Sequence, residues 1–441
     1  MSFPTPPRLS LAMIVRNEAE HLGHCLASVR GLVDEVHVVD TGSTDGTVQV
    51  AREAGAQIHA FPWQDDFAAA RNASLAPCRG EWILVLDADE AVDALDHERI
   101  RQACLEEGAS AYTLLLRNYL PSASFSTVGE PATRNTSAYA EGAAWSHYVD
   151  HRGLRLFRNL EGVAFEGRIH ELVQPFFERR GLLVRPLDAV IHHYGKVLEA
   201  RERHKRSYYL ELARREAEAR GDLQANFNLL QQALVAEAWP LALEAARACM
   251  ALGEKLPLYV FLGAAEALQH LDRHAEALGM LERLLAVSPS HGTALTLRGV
   301  SLAVLGRREE AFRAWEKAIA AAPGFAAPYL NAAELAVVGG DLVRARRVLD
   351  QGLAAVPGDA AMHEARIRLG LRAQDLARAA ADAWTALQAC PEGGGGLWHR
   401  LAALGLLQAG AQARAFEMLE QGLARFPGDA ELLQLRARLG G

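Results

Sequence analysis

A chain of 441 residues, half of them hydrophobic and 23% charged, is long for one domain, so two or three are expected. The net charge of −8 removes any global reason to expect nucleic-acid binding. Five scattered cysteines (Cys25, Cys78, Cys104, Cys249, Cys390), without Cys-x-x-Cys spacing, argue for reduced thiols in a cytoplasm and against a disulfide framework or zinc site. Met1 to Arg8 lacks the charged and apolar regions of a signal peptide. No apolar run approaches the roughly 20 residues that span a bilayer.

In chain order, the apolar run Leu9 to Val15 predicts a strand. Asn17 is placed to cap a helix over Glu18 to Val33, with Leu22, Leu26, Val29 and Val33 on one face. Glu35 to Val39 predicts a second strand, ending in Asp40-Thr41-Gly42-Ser43-Thr44-Asp45-Gly46-Thr47. Small residues and glycines there let backbone approach a ligand, and Ser43, Thr44 or Asp45 can cap the next helix. Gln57 to Phe61 is a short strand, and Phe67 to Ala76 a helix carrying Arg71 and Asn72. Strands alternating with helices in this rhythm predict a doubly wound, mainly parallel sheet.

The stretch Trp82 to Glu90 reads Trp-Ile-Leu-Val-Leu-Asp-Ala-Asp-Glu. It predicts a strand buried on both faces that delivers Asp87 and Asp89 to the carboxyl edge of the sheet, where open α/β sheets bind ligands. Paired hard oxygen donors suit Mg²⁺ or Mn²⁺ carrying a substrate phosphate. Neither a Gly-x-Gly-x-x-Gly nor a P-loop follows the first strand, which argues against dinucleotide and P-loop sites.

Val15-Arg16-Asn17-Glu18, Val38-Val39-Asp40 with its glycine loop, Arg71-Asn72-Ala73 and Leu86-Asp87-Ala88-Asp89-Glu90 occur in one order. In that order they resemble the successive blocks of family-2 glycosyltransferases. The resemblance is close over about residues 9–120 and looser to about 200. It implies a GT-A fold that binds a nucleotide sugar, most often a uridine one, and an inverting transfer. Carried over by position, Asn17, Glu18 and Asp40 would lie around base and ribose, with Gly42, Ser43, Asp45 and Arg71 bordering the nucleotide. Arg71 would be near the diphosphate. Asp87 and Ala88 would hold ribose or sugar, and Asp89 the metal.

A polar stretch from Pro121 to Gly153, without clear periodicity, predicts a long functional loop. Its Tyr139, Trp145 and Tyr148 would either stack on a sugar or peptide or pack the loop. Leu154 to Asn159, Phe165 to Val173 and Val190 to Gly195 look like blocks of the subgroup that includes lipopolysaccharide-core and peptide S-glycosyltransferases. An inverting transfer needs a general base. Glu171 stands about where the family places its base carboxylate, with Glu166 the alternative. His170 or His192 would complete the metal site or touch the diphosphate, and His192 is the metal-ligand choice.

Beyond Lys196 the chain becomes helical. Prolines recur at Pro257, Pro289, Pro323, Pro357, Pro391 and Pro427, in steps of 32, 34, 34, 34 and 36 by subtraction. Twelve residues before each stands an alanine, from Ala245 to Ala415. A 34-residue period marks tetratricopeptide repeats, and Gly299, Ala311, Trp315, Ala318 and Pro323 give the clearest copy. The expected order is a glycosyltransferase domain over 1–200, a linker helix over 201–225 and repeats over 226–441. Helical solenoids generally bind peptides or protein segments.

The leading expectation is a metal-dependent (Mn²⁺ or Mg²⁺) enzyme that moves a hexose or N-acetylhexosamine from a nucleotide sugar to a peptide or protein acceptor held partly by the repeats, with homo-oligomerisation open. Rival readings are a transferase of cell-envelope polysaccharide or lipid-linked glycan synthesis, an interaction scaffold with an inactive transferase domain, and a sugar nucleotidyltransferase. The last would want a glycine-rich basic loop after the first strand, where Arg16-Asn17-Glu18 stands instead.

Overall fold

The computed structural model describes residues 9–120, 132–195, 202–253, 255–391 and 393–439. The chain forms two compact units, Met1–Ala267 and Leu268–Gly441.

The first unit is built on a nine-stranded sheet. Its strands are β1 (Leu9–Val15), β2 (Glu35–Asp40), β3 (Gln57–Ala60), β4 (Trp82–Val85), β5 (Glu90–Val92), β6 (Ala111–Leu120), β7 (Thr133–Arg134), β8 (His147–Arg158) and β9 (Val184–His193). They lie in the order β3-β2-β1-β4-β8-β6-β9-β5, with β7 beside β8. Around them run α1 (Leu22–Ser28), α2 (Thr47–Glu53), α3 (Phe67–Leu75), α4 (His97–Leu105) and α5 (Gln174–Arg179), followed by α6 (Glu202–Arg220) and α7 (Leu223–Val235).

β4 sits mid-sheet because its side chains have no wet face to supply. Trp82, Ile83, Leu84 and Val85 are all buried. Alternation sends Trp82 and Leu84 into one core layer with Leu11, Met13, Leu22 and Tyr112. Ile83 and Val85 enter the opposite layer with Ala12, Phe157 and Phe177. Chain order reverses about β1, which lies between β2 and β4 and parallel to both. That reversal is the topological switch point at whose carboxyl edge α/β sheets hold ligands.

The sheet is mixed rather than mainly parallel. β8 runs antiparallel to both β4 and β6, and β5 antiparallel to β9. Its first half keeps the parallel order read from the sequence, where βαβ rhythm was visible. Within the expected loop of 121–153, residues 121–131 lie outside the described residues. His147 to Gly153 instead belongs to β8, held by its ladder to β6. Its alternation is obscured because Arg117, itself buried, draws polar partners onto the strand: it pairs with Asp150 at 2.8 Å and lies 3.7 Å over the Tyr148 ring. The first helix also starts later than its apolar spacing suggested, at Leu22. Asn17 takes φ +56° and spends its side chain on the β2 loop.

The second unit is a run of paired helices. Gly292–Val304 packs on Arg308–Ala321, and Ala326–Val338 on Leu342–Ala355. Small residues set these contacts. A Cβ on Gly299 would fall 2.2 Å from Trp315 Nε1, which donates to the Thr296 carbonyl at 3.1 Å. The repeat is visible in the caps as well. Tyr329 Oη donates to the Pro323 carbonyl at 3.1 Å, and one period later His363 Nε2 lies 2.8 Å from the Pro357 carbonyl. All five cysteines are free. Among the described residues no helix is long and apolar enough to cross a membrane.

Two glycine substitutions should move stability in opposite directions. Gly299→Ala overpacks the Trp315 contact and should lower the unfolding free energy of the helical unit by about 1–3 kcal/mol. Gly279→Ala, in helix His274–Val287 with open space around its Cβ, should raise it by up to about 1 kcal/mol. Denaturant melts of the two variants against the parent check both signs.

Candidate functional site

The carboxyl ends of β1 and β2 are laced together. Asn17 N–H donates to Ser43 Oγ at 2.9 Å, and Thr44 N–H donates to Asn17 Oδ1 at 2.7 Å. Glu18 N–H donates to Thr47 Oγ1 at 2.7 Å, and Ala19 N–H to Asp45 at 3.3 Å. The Asp40 carboxylate accepts from the backbone N–H groups of Gly42 and Ser43 at 3.3 and 3.1 Å. Gly42 takes φ +106°, a conformation open to glycine at little cost. A cavity of about 360 Å³ lies beside Asp40, lined also by Val48, Arg52, Ile58 and Ala60. Asn17, Glu18, Asp40, Gly42, Ser43 and Asp45 are thus one connected rim.

At the end of β4 the charges converge on Arg71. Its guanidinium, 3% exposed, pairs with Asp87, donates to Glu171 Oε1 at 3.0 Å and reaches the Leu86 carbonyl at 3.4 Å. Asp87 also meets Arg155 at 3.4 Å, and Arg155 donates to the buried Glu90 at 2.8 Å. Glu90 in turn accepts from Asp87 N–H at 2.8 Å. Burial would raise the Asp87 carboxyl, but Arg71 and Arg155 outweigh it and hold the group well below the usual carboxylate range. Burial pushes Glu90 above its ordinary value, with Arg155 opposing and Asp87 assisting. Two neighbouring carboxyls are thereby driven apart.

Glu171 therefore reaches the Asp-x-Asp strand through a shared arginine. Glu166 does not: it pairs with the exposed Arg179. His170 takes φ +50° and its Nε2 lies 2.8 Å from Gln232.

Asp89 meets a histidine, and that histidine is His193 rather than His192. His193 Nε2 lies 3.4 Å from Asp89, and its Nδ1 lies 2.8 Å from Asn118 Oδ1. Successive residues of β9 point to opposite faces, so His192 is carried away. It stacks with Tyr119, whose Oη is 2.6 Å from its Nδ1, and burial pushes it down to about 4. Tyr139 closes the same cluster, edge-on to His192 with its hydroxyl donating to Asp96 at 3.0 Å. Tyr139 and Tyr148 are thus packing partners here. A Cβ on Gly195 would fall 2.7 Å from both Asp89 Oδ2 and His193 Nε2, so glycine keeps space open over that pair.

Among the described residues no three His, Cys, Asp or Glu side chains converge on one metal position. Asp89 and His193 supply two donors. Their 3.4 Å separation is near that of adjacent ligands around a divalent ion with bonds of about 2.1 Å, so the pair fits an ion whose remaining ligands come from phosphate and water.

Sequence reasoning passed over Glu90, Arg155, His193, Asn118 and Tyr209. Glu90 and Arg155 stood inside quoted blocks, but ion-pair partners distant in sequence leave no spacing signal. Tyr209 on α6 packs against Phe67, the rings tilted by 38° with centroids 5.7 Å apart. Burial, then the charges of Tyr208, Glu171, Asp87 and Glu18, push its phenol up to about 12.

His193 should titrate above the ordinary histidine value of about 6.5, because burial lowers it less than Asp89, Glu90 and Asp87 raise it. Asp89→Asn should bring that value down, measured by NMR of the imidazole in metal-free protein. The matching stability gain is full below about pH 6.5 and is lost as pH rises through the folded value.

Residues 10–157 match the family model for glycosyl transferase family 2, and residues 304–369 match a tetratricopeptide repeat model. A TPR repeat-containing protein of Synechococcus elongatus is 38% identical over 194 residues, covering 43% of this chain and 42% of that protein. An uncharacterized glycosyltransferase of Rickettsia felis is 39% identical over 83 residues, covering 19% and 29%. The SPbeta prophage-derived glycosyltransferase SunS of Bacillus subtilis is 29% identical over 167 residues, covering 37% and 34%. The chain thus spans less than half the length of each of these relatives. The switch-point site and the two matched segments agree: this chain carries a family 2 glycosyltransferase domain followed by tetratricopeptide repeats.

Proposed function

We propose that the chain is a metal-dependent, inverting glycosyltransferase. Its donor is a nucleotide sugar, most simply a uridine diphosphate hexose or N-acetylhexosamine. Its acceptor is a hydroxyl or thiol of a peptide or protein. The observation that carries the reading is the Arg71 cluster, which brings Glu171 beside Asp87 at the switch point of a sheet matched to family 2. The name of SunS, a glycosyltransferase 29% identical over 167 residues, favours sugar transfer, and the repeats favour a protein acceptor. The free cysteines and the lack of a spanning helix among the described residues suit a cytoplasmic setting.

In this reading the Asn17–Asp45 rim receives the nucleoside, with Asp40 beside the cavity. Asp87 and Ala88 face the ribose or sugar. Asp89 and His193 would hold a divalent ion, which when bound would supply charge stabilisation for the departing nucleoside diphosphate. The acceptor O–H or S–H attacks C1 as the C1–O bond to the diphosphate breaks, and Glu171 takes the acceptor proton. Arg71 does its work by orientation: both of its carboxylate partners are already in place, so it aligns Glu171 and Asp87 rather than meeting the diphosphate directly.

Thermal shift and nucleotide release with UDP-sugars and Mn²⁺ test this. A donor present at 100 times its Kd should stabilise the chain by about 2.7 kcal/mol, and Asp89→Ala should remove the metal-dependent part. Glu171→Gln should lower turnover by about 10²- to 10⁴-fold while the thermal shift with donor persists. Full turnover in Glu171→Gln would reassign the base, and no shift or release with any UDP-sugar would overturn the donor class.

A further inference from the structure

The segment that carries Glu171 is gripped from two sides. From the sheet side, α3 holds it. Asn72 donates to the Phe165 carbonyl at 3.0 Å and accepts from Phe165 N–H at 2.7 Å, and Phe67 N–H donates to the Arg168 carbonyl at 2.9 Å. Glu166 and Leu172 close the segment on itself with reciprocal backbone bonds of 2.9 Å. Between them the chain turns through Gly167 at φ +100° and His170 at φ +50°. A non-glycine residue in that region is uncommon and persists only where its surroundings enforce it.

The other grip comes from α6 and α7, beyond the sheet. Arg168 N–H donates to Glu216 Oε1 at 3.0 Å. Asn228 Nδ2 donates to the Ile169 carbonyl at 3.1 Å, and Gln232 lies 2.8 Å from His170 Nε2. Three consecutive loop residues are therefore each met by a helix side chain. Glu216 and Asn228 are 2% and 1% exposed, and burying such polar groups is costly unless they serve a bond. Asn228 is itself fixed, its Oδ1 accepting from Gln224 at 2.9 Å. Glu216 is fixed by Arg220 at 3.0 Å. Gly167 lets this happen, since at its φ of +100° a side chain would be strained and a Cβ would press on the Ile169 carbonyl at 3.3 Å. The helix face is also pinned at its far end, where Tyr208 on α6 bonds Trp63 and Asp65 ahead of α3.

From this arrangement we infer that α6 and α7 belong to the catalytic machinery: Glu216 and Asn228 are positioning residues that set the Glu171 carboxylate beside Arg71. They touch no reacting atom. They fix the backbone immediately before Glu171, and a displacement of about 1 Å at such a group is enough to cost about a hundredfold in rate. The inference rests on the reading of Glu171 given above.

The test uses the full chain and three variants: Asn228→Ala, Glu216→Ala and Glu216→Gln, the last keeping an oxygen that accepts from Arg168 N–H. Two quantities are read, amide hydrogen exchange of the peptide over residues 166–172 and kcat with KM for hydrolytic UDP release from UDP-glucose and UDP-N-acetylglucosamine with Mn²⁺, in which water stands in for the acceptor, attacks C1 and gives its proton to Glu171. The alanine variants should raise exchange in that peptide at least about tenfold, lower kcat about tenfold or more and leave donor KM within about threefold. Glu216→Gln should restore both readouts to near the parent values. Should Asn228→Ala not fold, Gln232→Ala, which removes only the bond to His170, is read in the same way. Folded alanine variants with unchanged exchange overturn the inference, and so does raised exchange with unchanged kcat. If the parent itself releases UDP from neither donor, the donor reading fails on its own, and the exchange readout still decides whether α6 and α7 hold the loop.

Discussion

A single buried guanidinium organises the site. Arg71 is almost wholly removed from water, and a charge so placed is tolerated only with partners that replace its hydration. It takes them from two separate parts of the chain: the Leu86 carbonyl and Asp87 after β4, and Glu171 from the loop beyond β8. Because α3 supplies the arginine and packs on β1 and β2, satisfying that one charge fixes the switch-point edge of the sheet to the segment carrying the proposed base. The arginine thereby ties the end of β4 to the segment that carries Glu171.

The electrostatics follow from the same crowding. Asp87 and Glu90 share Arg155, yet their surroundings push them in opposite directions. Asp87 lies between two guanidinium groups and stays ionised, while Glu90, buried behind it, meets only one and bonds the Asp87 backbone. Asp89, partly solvated as Asp87 is, pairs with His193, and Gly195 leaves room over that pair. One short segment after β4 therefore presents a carboxylate held by two arginines, a carboxylate paired with a histidine and a buried one, in that order of residues.

The helical half contributes in two ways. In the second unit, small residues at fixed spacing let helices approach, as at Gly299 under Trp315, and the 34-residue period is carried down to the side chains that cap the proline carbonyls. In the first unit, α6 and α7 turn buried polar groups toward the loop before Glu171. Polar residues on a helix face that otherwise packs are a local conflict with burial, and here the loop backbone resolves it.

The sequence by itself determined the elements whose causes are local or periodic. The continuous apolar run of β4, the glycine loop after Asp40, the Asp87-Ala88-Asp89 terminus and the proline and alanine ladder of the repeats were all legible, since strand burial, turn chemistry and helix spacing leave patterns in a single stretch. Most of the proposed site residues came from those patterns and the family resemblance they carry. Only the tertiary structure decided what depends on partners far apart in sequence. It set β8 antiparallel between β4 and β6, making the second half of the sheet mixed, and drew His147 to Gly153 into a strand. It chose His193 over His192, because which of two adjacent strand residues faces Asp89 is a matter of register. It joined Glu171 to Arg71, a hundred positions away by subtraction, and set Glu216 and Asn228 behind it, contacts whose energy is real but whose spacing in the chain is arbitrary.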